Sequence, residues 1–164
     1  MTLAKDFEDF VKLLYQHEVE YMVVGGYALA FHGKPRHTCD LDIWINISEK
    51  NASRMLQVLK GFGMSSMGFK KDDFLKPGYM TQIGHPPLRI DILNSIDGVE
   101  FNEAVKHMNR VEIETDLPLN YIGLNDFVKN KQASGRMQDL ADIQEISKLT
   151  EKKKITKKKK GNRL

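Results

Sequence analysis

The segment 40–47 constrains this chain most strongly, because it combines the alternating pattern of a β-strand with two carboxylates. Side chains along a strand point alternately to opposite faces, so Asp40 and Asp42 share one face while Leu41 and Ile43 share the other. Like charges roughly 6 to 7 Å apart repel each other, and β-strands disfavour Asp. The pair therefore favours a site, for example one that holds a cation, over an exposed strand face without a ligand.

A third carboxylate, Asp91, interrupts a second apolar strand that is predicted at 88–93. Alternation places Asp91 on the same face of that strand as Arg89, opposite Ile90 and Ile92. An isolated Asp at this position could pair with Arg89 or face solvent. Together with the two carboxylates of the earlier strand, it favours a cluster of three.

Gly25 and Gly26 follow a short strand predicted at 21–24 and precede a small helix predicted at 27–32. Glycine lets a ligand approach the backbone closely, and the free N–H groups at the start of a helix attract phosphate. A Gly-Gly pair by itself marks a turn in most proteins. The nearby carboxylates give this pair its interest.

The remaining pattern predicts an α+β chain without an internal repeat. Phe7, Phe10 and Leu14 recur at helical spacing, and Ser48 is a suitable N-cap for a following helix. Further elements follow in order, with a loop-rich stretch at 63–78. Helices are predicted at 3–17, from 49 to about 62, and at 100–108, 124–131 and 137–149, and strands at 79–83 and 110–114.

This order of elements resembles the DNA polymerase β-like nucleotidyltransferase superfamily. The resemblance rests on Gly25-Gly26, on Asp40-Leu41-Asp42-Ile43 and on Arg89-Ile90-Asp91-Ile92. Within the superfamily, the sequences GGYALAFHG, RHTCDLDIWI and KQASGRMQDLADI are most similar to small bacterial nucleotidyltransferases related to abortive-infection toxins. The resemblance covers roughly residues 20 to 145. It implies a nucleotidyltransferase-like mixed β-sheet flanked by helices, with C-terminal helices.

The resemblance also implies an activity, the transfer of a nucleoside monophosphate from a triphosphate to a hydroxyl acceptor with release of pyrophosphate. Asp40, Asp42 and Asp91 would then be the catalytic carboxylates and hold Mg²⁺, or Mn²⁺ in its place, and Asp91 would help to activate the hydroxyl. Three carboxylates suit Mg²⁺, which prefers oxygen ligands.

The resemblance leaves the acceptor open, since relatives with this core use RNA, proteins or small molecules. The alternative function is a catalytically silent nucleotide-binding or toxin-antitoxin interaction module with an antitoxin-type protein partner. The presence of all three carboxylates favours the enzyme.

By the same resemblance, Gly25, Gly26 and Tyr27 would hold the triphosphate through backbone N–H groups at the start of a helix. The superfamily usually has Gly-Ser at this turn. This chain has Gly26 instead, so it lacks the serine hydroxyl that would contact phosphate.

Four further residues could bind the phosphates. Arg36 and Thr38 precede the carboxylates and could supply a charge and a hydroxyl, and Lys131 and Arg136 could supply further charge. A solvated loop around Arg36 and Thr38, and ion pairs that join Lys131, Arg136 and Asp139, are the competing interpretations.

The charge of the chain is divided unevenly. Of its 25 Lys and Arg residues, eight lie between Lys152 and Leu164, a segment without any of the 22 acidic residues. Residues 1–151 therefore carry a net charge of −5. The segment 151–164 has few apolar residues, so it is predicted to be a disordered basic tail. Such a tail could bind RNA or another polyanion, or serve only as a solvated terminus.

Composition favours a single cytoplasmic domain at 1–150. A chain of 164 residues with 41% hydrophobic residues can bury one core. The single cysteine, Cys39, excludes an intramolecular disulfide. The N-terminus lacks the apolar core of a signal peptide, and no apolar stretch approaches the roughly 20 residues that cross a membrane.

Overall fold

A computed structural model describes residues 3–35, 37–113 and 117–161, with side chains as far as Leu149. Seven helices and six strands make up these ranges, and two single turns of 3₁₀ helix occur at Ser65–Met67 and Val105–His107. The helices are α1 Lys5–Gln16, α2 Gly25–Phe31, α3 Glu49–Gly61, α4 Asp72–Leu75, α5 Phe101–Ala104, α6 Leu124–Ser134 and α7 Met137–Gly161. The strands are β1 Tyr21–Val23, β2 Asp40–Ile45, β3 Met80–His85, β4 Leu88–Leu93, β5 Asn109–Glu112 and β6 Pro118–Tyr121.

The six strands form one mixed sheet in the order β3-β4-β2-β1-β6-β5. The central strands β2 and β4 are parallel, as are β1 and β6, whereas the other neighbours are antiparallel. This arrangement confirms the predicted α+β class with a mixed sheet flanked by helices. It also places the two strands that carry the predicted carboxylates side by side.

The two faces of β2 have different surroundings. Leu41 and Ile43 are fully buried in the core, to which α1 contributes Phe10 and α3 contributes Met55. On the opposite face, Trp44 packs edge-on against Phe101 of α5, with ring centroids 5.0 Å apart. The face that carries the carboxylates is therefore covered at the C-terminal end of β2 and open at its beginning.

The first turn of α3 fixes where β1 starts and where β2 ends. Ser48 is its N-cap, as predicted, and its hydroxyl oxygen accepts a hydrogen bond from the Asn51 N–H at 3.1 Å. The buried Asn51 amide donates to the carbonyls of Glu20 and Asn46, at 3.0 and 2.8 Å, and accepts from the Glu20 N–H at 2.8 Å. Because these backbone groups lie just before β1 and just after β2, Asn51 holds the strand pair in register.

Several predicted elements differ in the structure, and two were missed, namely β6 and the short α4 within the stretch predicted as a loop. Helix α2 begins at Gly25 rather than at Tyr27, so both glycines belong to its first turn. The predicted strand at 110–114 is β5 at Asn109–Glu112, and its partner β6 was not predicted because Pro118 and Asn120 interrupt the alternating pattern.

The structure continues α7 as far as Gly161, whereas the sequence predicted disorder from residue 151 onward. Lys has a high helix propensity, and no Pro interrupts this segment, so the backbone can extend the preceding helix. Within the described residues, none of the helices is both long enough and apolar enough to span a bilayer.

Candidate active site

A cleft of about 330 Å³ lies between the start of α2, the beginning of β2, the turn after β4 and the helices α6 and α7. Its walls bring together seven of the residues that the sequence singled out, namely Gly25, Gly26, Thr38, Asp40, Asp42, Lys131 and Arg136. These residues come from three separate stretches of the chain, 25–26, 38–42 and 131–136. The fold therefore assembles most of the predicted site in one place.

The three predicted carboxylates converge because β2 and β4 are parallel neighbours. Asp42 lies directly opposite Asp91 in the register, and Asp40 lies opposite Arg89. Since side chains directly opposite each other in a sheet project to the same face, Asp91 adjoins the pair on β2. Asp91 is 4% exposed and lies beneath the cleft rather than in its wall.

Arg89 joins two of the three carboxylates. Its Nε and one terminal nitrogen donate to the two oxygens of Asp91, both at 2.9 Å, and the same terminal nitrogen donates to Asp40 at 2.8 Å. Gln82 of β3 adds a hydrogen bond to Asp91 at 3.2 Å. The pairing of Arg89 with Asp91 that the sequence offered as an alternative is thus present, inside the cluster rather than in place of it.

Among the described residues, no Lys or Arg forms an ion pair with Asp42, which packs against the start of α2. A Cβ placed on Gly25, whose φ is +59°, would lie 2.0 Å from a carboxylate oxygen of Asp42. Only a glycine at position 25 lets the carboxylate come this close. Burial, together with the charges of Asp91 and Asp40, raises the pKa of Asp42 to about 6, although the Gly26 N–H donates a hydrogen bond to it.

The raised pKa of Asp42 has a measurable effect on stability. The folded chain binds a proton at Asp42 more tightly than the unfolded chain, so the contribution of Asp42 to the free energy of unfolding is fully present below about pH 4 and is lost as the pH rises through 6. In EDTA, we expect the free energy of unfolding of Asp42→Asn to rise relative to that of the parent by up to about 3 kcal/mol between pH 4 and pH 7. Urea unfolding at several pH values measures it, and a difference independent of pH would contradict it.

Gly26 is required by the close approach of Thr38. A Cβ on Gly26 would lie 2.7 Å from the Thr38 hydroxyl oxygen, so Thr38 would have to move to admit a serine. The Thr38 hydroxyl donates to the Asp40 carbonyl at 3.2 Å, which fixes it beside this turn. The Thr38 hydroxyl therefore lies close to the position that the hydroxyl of a serine at position 26 would occupy.

Lys131 and Arg136 differ in how free their charges are. The Lys131 ammonium donates to buried Asp139 and lies 3.9 Å from Asp142, and its side chain is only 11% exposed. Burial alone would raise the pKa of Asp139, but hydrogen bonds from Lys131 and Ser134 lower it. The ion-pair interpretation thus holds for Lys131, whereas Arg136 is exposed in the cleft wall.

The other two predicted nucleotide-binding residues lie elsewhere. Tyr27 is not among the residues that line the cleft, and its ring packs edge-on against Phe7, with centroids 5.9 Å apart. Arg36 lies outside the described residues. Sequence analysis did not single out Gln82, which reaches Asp91 only because the β3–β4 hairpin aligns the two residues, and no local pattern signals that register.

Asp40, Asp42 and Asp91 are the residues that could hold a divalent cation. Their oxygens are the hard ligands that Mg²⁺ prefers, and burial together with the charges of Asp91 and Asp40 raises the pKa of Asp42, which a bound cation would oppose. Among the described residues, no three His, Cys, Asp or Glu side chains stand arranged to hold a metal. The donor chemistry of the three carboxylates fits a cation. Arg89 would compete with a cation for two of these ligands, because it binds Asp40 and Asp91.

Comparison with known proteins places the chain among nucleotidyltransferase-like proteins. Residues 4–163 match the model of a family described as nucleotidyl transferase of unknown function (DUF2204). No protein in a search of curated sequences matches the chain.

Two solved structures share the fold. A proposed nucleotidyltransferase from Thermotoga maritima aligns with a TM-score of 0.54 at 15% identity, over 89% of this chain and 91% of its own. An antigenic nucleotidyltransferase-like protein from Paracoccidioides brasiliensis aligns with a TM-score of 0.52 at 14% identity, over 86% of this chain and 72% of its own. At these identities the likeness concerns the fold alone.

Proposed function

This chain belongs to the family of nucleotidyl transferases of unknown function, and we propose that it is an Mg²⁺-dependent enzyme that moves a nucleoside monophosphate from a triphosphate to a hydroxyl acceptor and releases pyrophosphate. The observation that supports this most is the pairing of Asp42 with Asp91 in register on parallel strands, with Asp42 in the wall of a cleft that also contains Gly25 and Gly26. Carboxylates can hold the metal ions that stabilise such a displacement, and a glycine-rich helix start can bind phosphate.

In this proposal, Asp40 and Asp42 hold the cation, and Asp91 faces the acceptor hydroxyl and takes up its proton. When bound, Mg²⁺ would supply positive charge that stabilises the attacking and leaving oxygens of the displacement. The near-complete burial of Asp91 and the hydrogen bond that it accepts from Gln82 keep its carboxylate in one orientation. A fixed carboxylate can meet the hydroxyl without reorganisation.

The triphosphate would lie against the start of α2. The half-buried Gly25 brings backbone to the cleft wall there, and the Thr38 hydroxyl beside Gly26 would take the place of the missing serine hydroxyl. Arg136, which is exposed in the cleft wall, would contribute positive charge to phosphate binding, because the charge of Lys131 is already matched by Asp139 and Asp142. Lys131 would then act mainly by joining α6 to α7 at the cleft wall.

A labelled-nucleotide assay on cell extract tests the proposal. Incubation with Mg²⁺ and each triphosphate labelled at the α-phosphate should transfer label to an acceptor when the protein is added, whereas adding the protein should not increase acceptor labelling from a γ-labelled triphosphate. Fractionation of the product into RNA, protein and small molecules identifies the acceptor class. If calorimetry detects triphosphate binding but no fraction receives label, the result would favour the catalytically silent module. The pairing of Arg89 with Asp40 and Asp91 is also compatible with that function.

We propose RNA as the acceptor, on the basis of the eight basic residues after Glu151. Replacing Lys159 and Lys160 by Gln should weaken RNA binding and make it less dependent on salt, by about 0.7 in the logarithmic slope for each phosphate that the chain no longer neutralises. Filter binding between 50 and 200 mM salt measures this slope. Gln at the exposed Lys5 and Lys106, away from the cleft, is the matched control. Equal effects of the two double variants would remove the support for RNA.

A further inference from the structure

The guanidinium of Arg89 occupies oxygens that a cation would need. It engages both oxygens of Asp91 and one oxygen of Asp40, at 2.8 to 2.9 Å. Charge-assisted hydrogen bonds of this fork-like kind are among the strongest that side chains make. Without a metal, Arg89 therefore supplies positive charge to the carboxylate cluster.

The sheet register explains why Arg89 reaches both carboxylates. Arg89 lies opposite Asp40 across the β2–β4 pair and two residues before Asp91 on its own strand, so all three share one face. The Arg89 side chain is 30% exposed, whereas the Asp91 side chain is 6% exposed. The arginine can thus turn away toward solvent without opening the core, and the Gln82 amide still holds Asp91 after it leaves.

We propose that Arg89 competes with the divalent cation for the carboxylates. Arg89 must release Asp40 before Asp40 and Asp42 can bind a cation together. This inference rests on the proposed role of these two carboxylates in cation binding. Two physical effects make Arg89 an opponent of the cation: its hydrogen bond to Asp40 has to break, and its positive charge repels a second cation at short range. The competition would keep the metal-free cluster folded and make cation affinity weaker than three carboxylates alone would give.

Titration with Mn²⁺ tests the competition, because the electron paramagnetic resonance signal of free Mn²⁺ reports binding without any turnover. Arg89→Gln in the full-length chain should bind Mn²⁺ about tenfold more tightly than the parent. Arg89→Lys, which keeps the charge but lacks the fork, should fall between the two. Arg110→Gln is the matched control, since Arg110 lies on β5, at the opposite edge of the sheet from β3.

The direction of the change separates competition from mere support of the fold. If Arg89 only stabilised the strands, its removal would loosen the carboxylates and weaken Mn²⁺ binding. A parent that binds Mn²⁺ while both Arg89 variants bind it equally or more weakly overturns the inference alone. Failure of the parent and of both variants to bind Mn²⁺ overturns it together with the proposed cation site. Should Arg89→Gln not fold, a tighter Mn²⁺ complex of Arg89→Lys still supports the inference, and an unchanged one overturns it.

Discussion

Asp42→Asn is expected to reduce nucleotidyl transfer by at least about 10³-fold, which corresponds to about 4 kcal/mol of transition-state stabilisation. Asp42 lies in the cleft wall, in register with Asp91 and in contact with the start of α2, so it connects the proposed cation side to the phosphate side. An amide has nearly the same shape but no negative charge, and it is a much poorer ligand for a divalent cation. The variant should therefore lose the chemistry and keep the fold.

The α-labelled transfer assay measures the loss, and urea unfolding shows whether the fold persists. Asp97→Asn is the matched control, because Asp97 is an exposed carboxylate in the wall of the same cleft, on the turn after β4. We expect that variant to transfer label at nearly the parental rate. Activity of Asp42→Asn close to that of Asp97→Asn would show that the charge of Asp42 is not required for transfer.

The same substitution should affect stability in the opposite direction. In the metal-free protein at neutral pH, the charge of Asp42 is partly buried beside two other carboxylates, which is why its pKa is raised. Removing that charge relieves the cost of burying it. A variant that is inactive and yet more stable at pH 7 would be a strong sign that Asp42 is retained for chemistry rather than for folding.

The sequence predicts the carboxylate strands well because alternation is a local property. The bounds of β4 are as predicted, and the pattern of β2 correctly separates Asp42 from Leu41 and Ile43. In contrast to alternation, the register that brings Asp42 opposite Asp91 is not a local property of the sequence. It joins residues that lie far apart in the chain, and it depends on which strands become neighbours, so the sequence pattern could suggest a cluster but not specify its geometry.

The least predictable features arise from packing between distant elements. In the sequence, Gly26 indicates that a serine ligand for phosphate is missing, but the structure places the Thr38 hydroxyl next to Gly26. For Lys131 the sequence left phosphate binding and an ion pair with Asp139 open, and α7 decides for the ion pair by bringing Asp139 and Asp142 to it. Both outcomes depend on helix and loop placement in three dimensions, which residue spacing along one element does not encode.

Gly25→Ala is expected to have the second large effect, on both stability and transfer. The positive φ of Gly25 alone should cost an alanine about 1 to 2 kcal/mol. The new methyl group would also lie 2.0 Å from the Asp42 carboxylate and must displace it. Since a misplaced catalytic group of this kind can cost about 10²-fold in rate, we expect transfer to fall by about that factor or more.

Gly63→Ala separates the two causes, because Gly63 also has a positive φ, +85°, but an added Cβ there meets no atom within 4 Å. It should lose stability through the backbone alone and keep parental transfer activity. A double-mutant cycle with Asp42→Ala completes the test: removing the carboxylate relieves the 2.0 Å contact, so Gly25→Ala should cost less stability in that background than in the parent. Additive losses in the cycle, or a Gly25→Ala variant as active as Gly63→Ala, would show that the close approach of Gly25 to Asp42 does not govern the site.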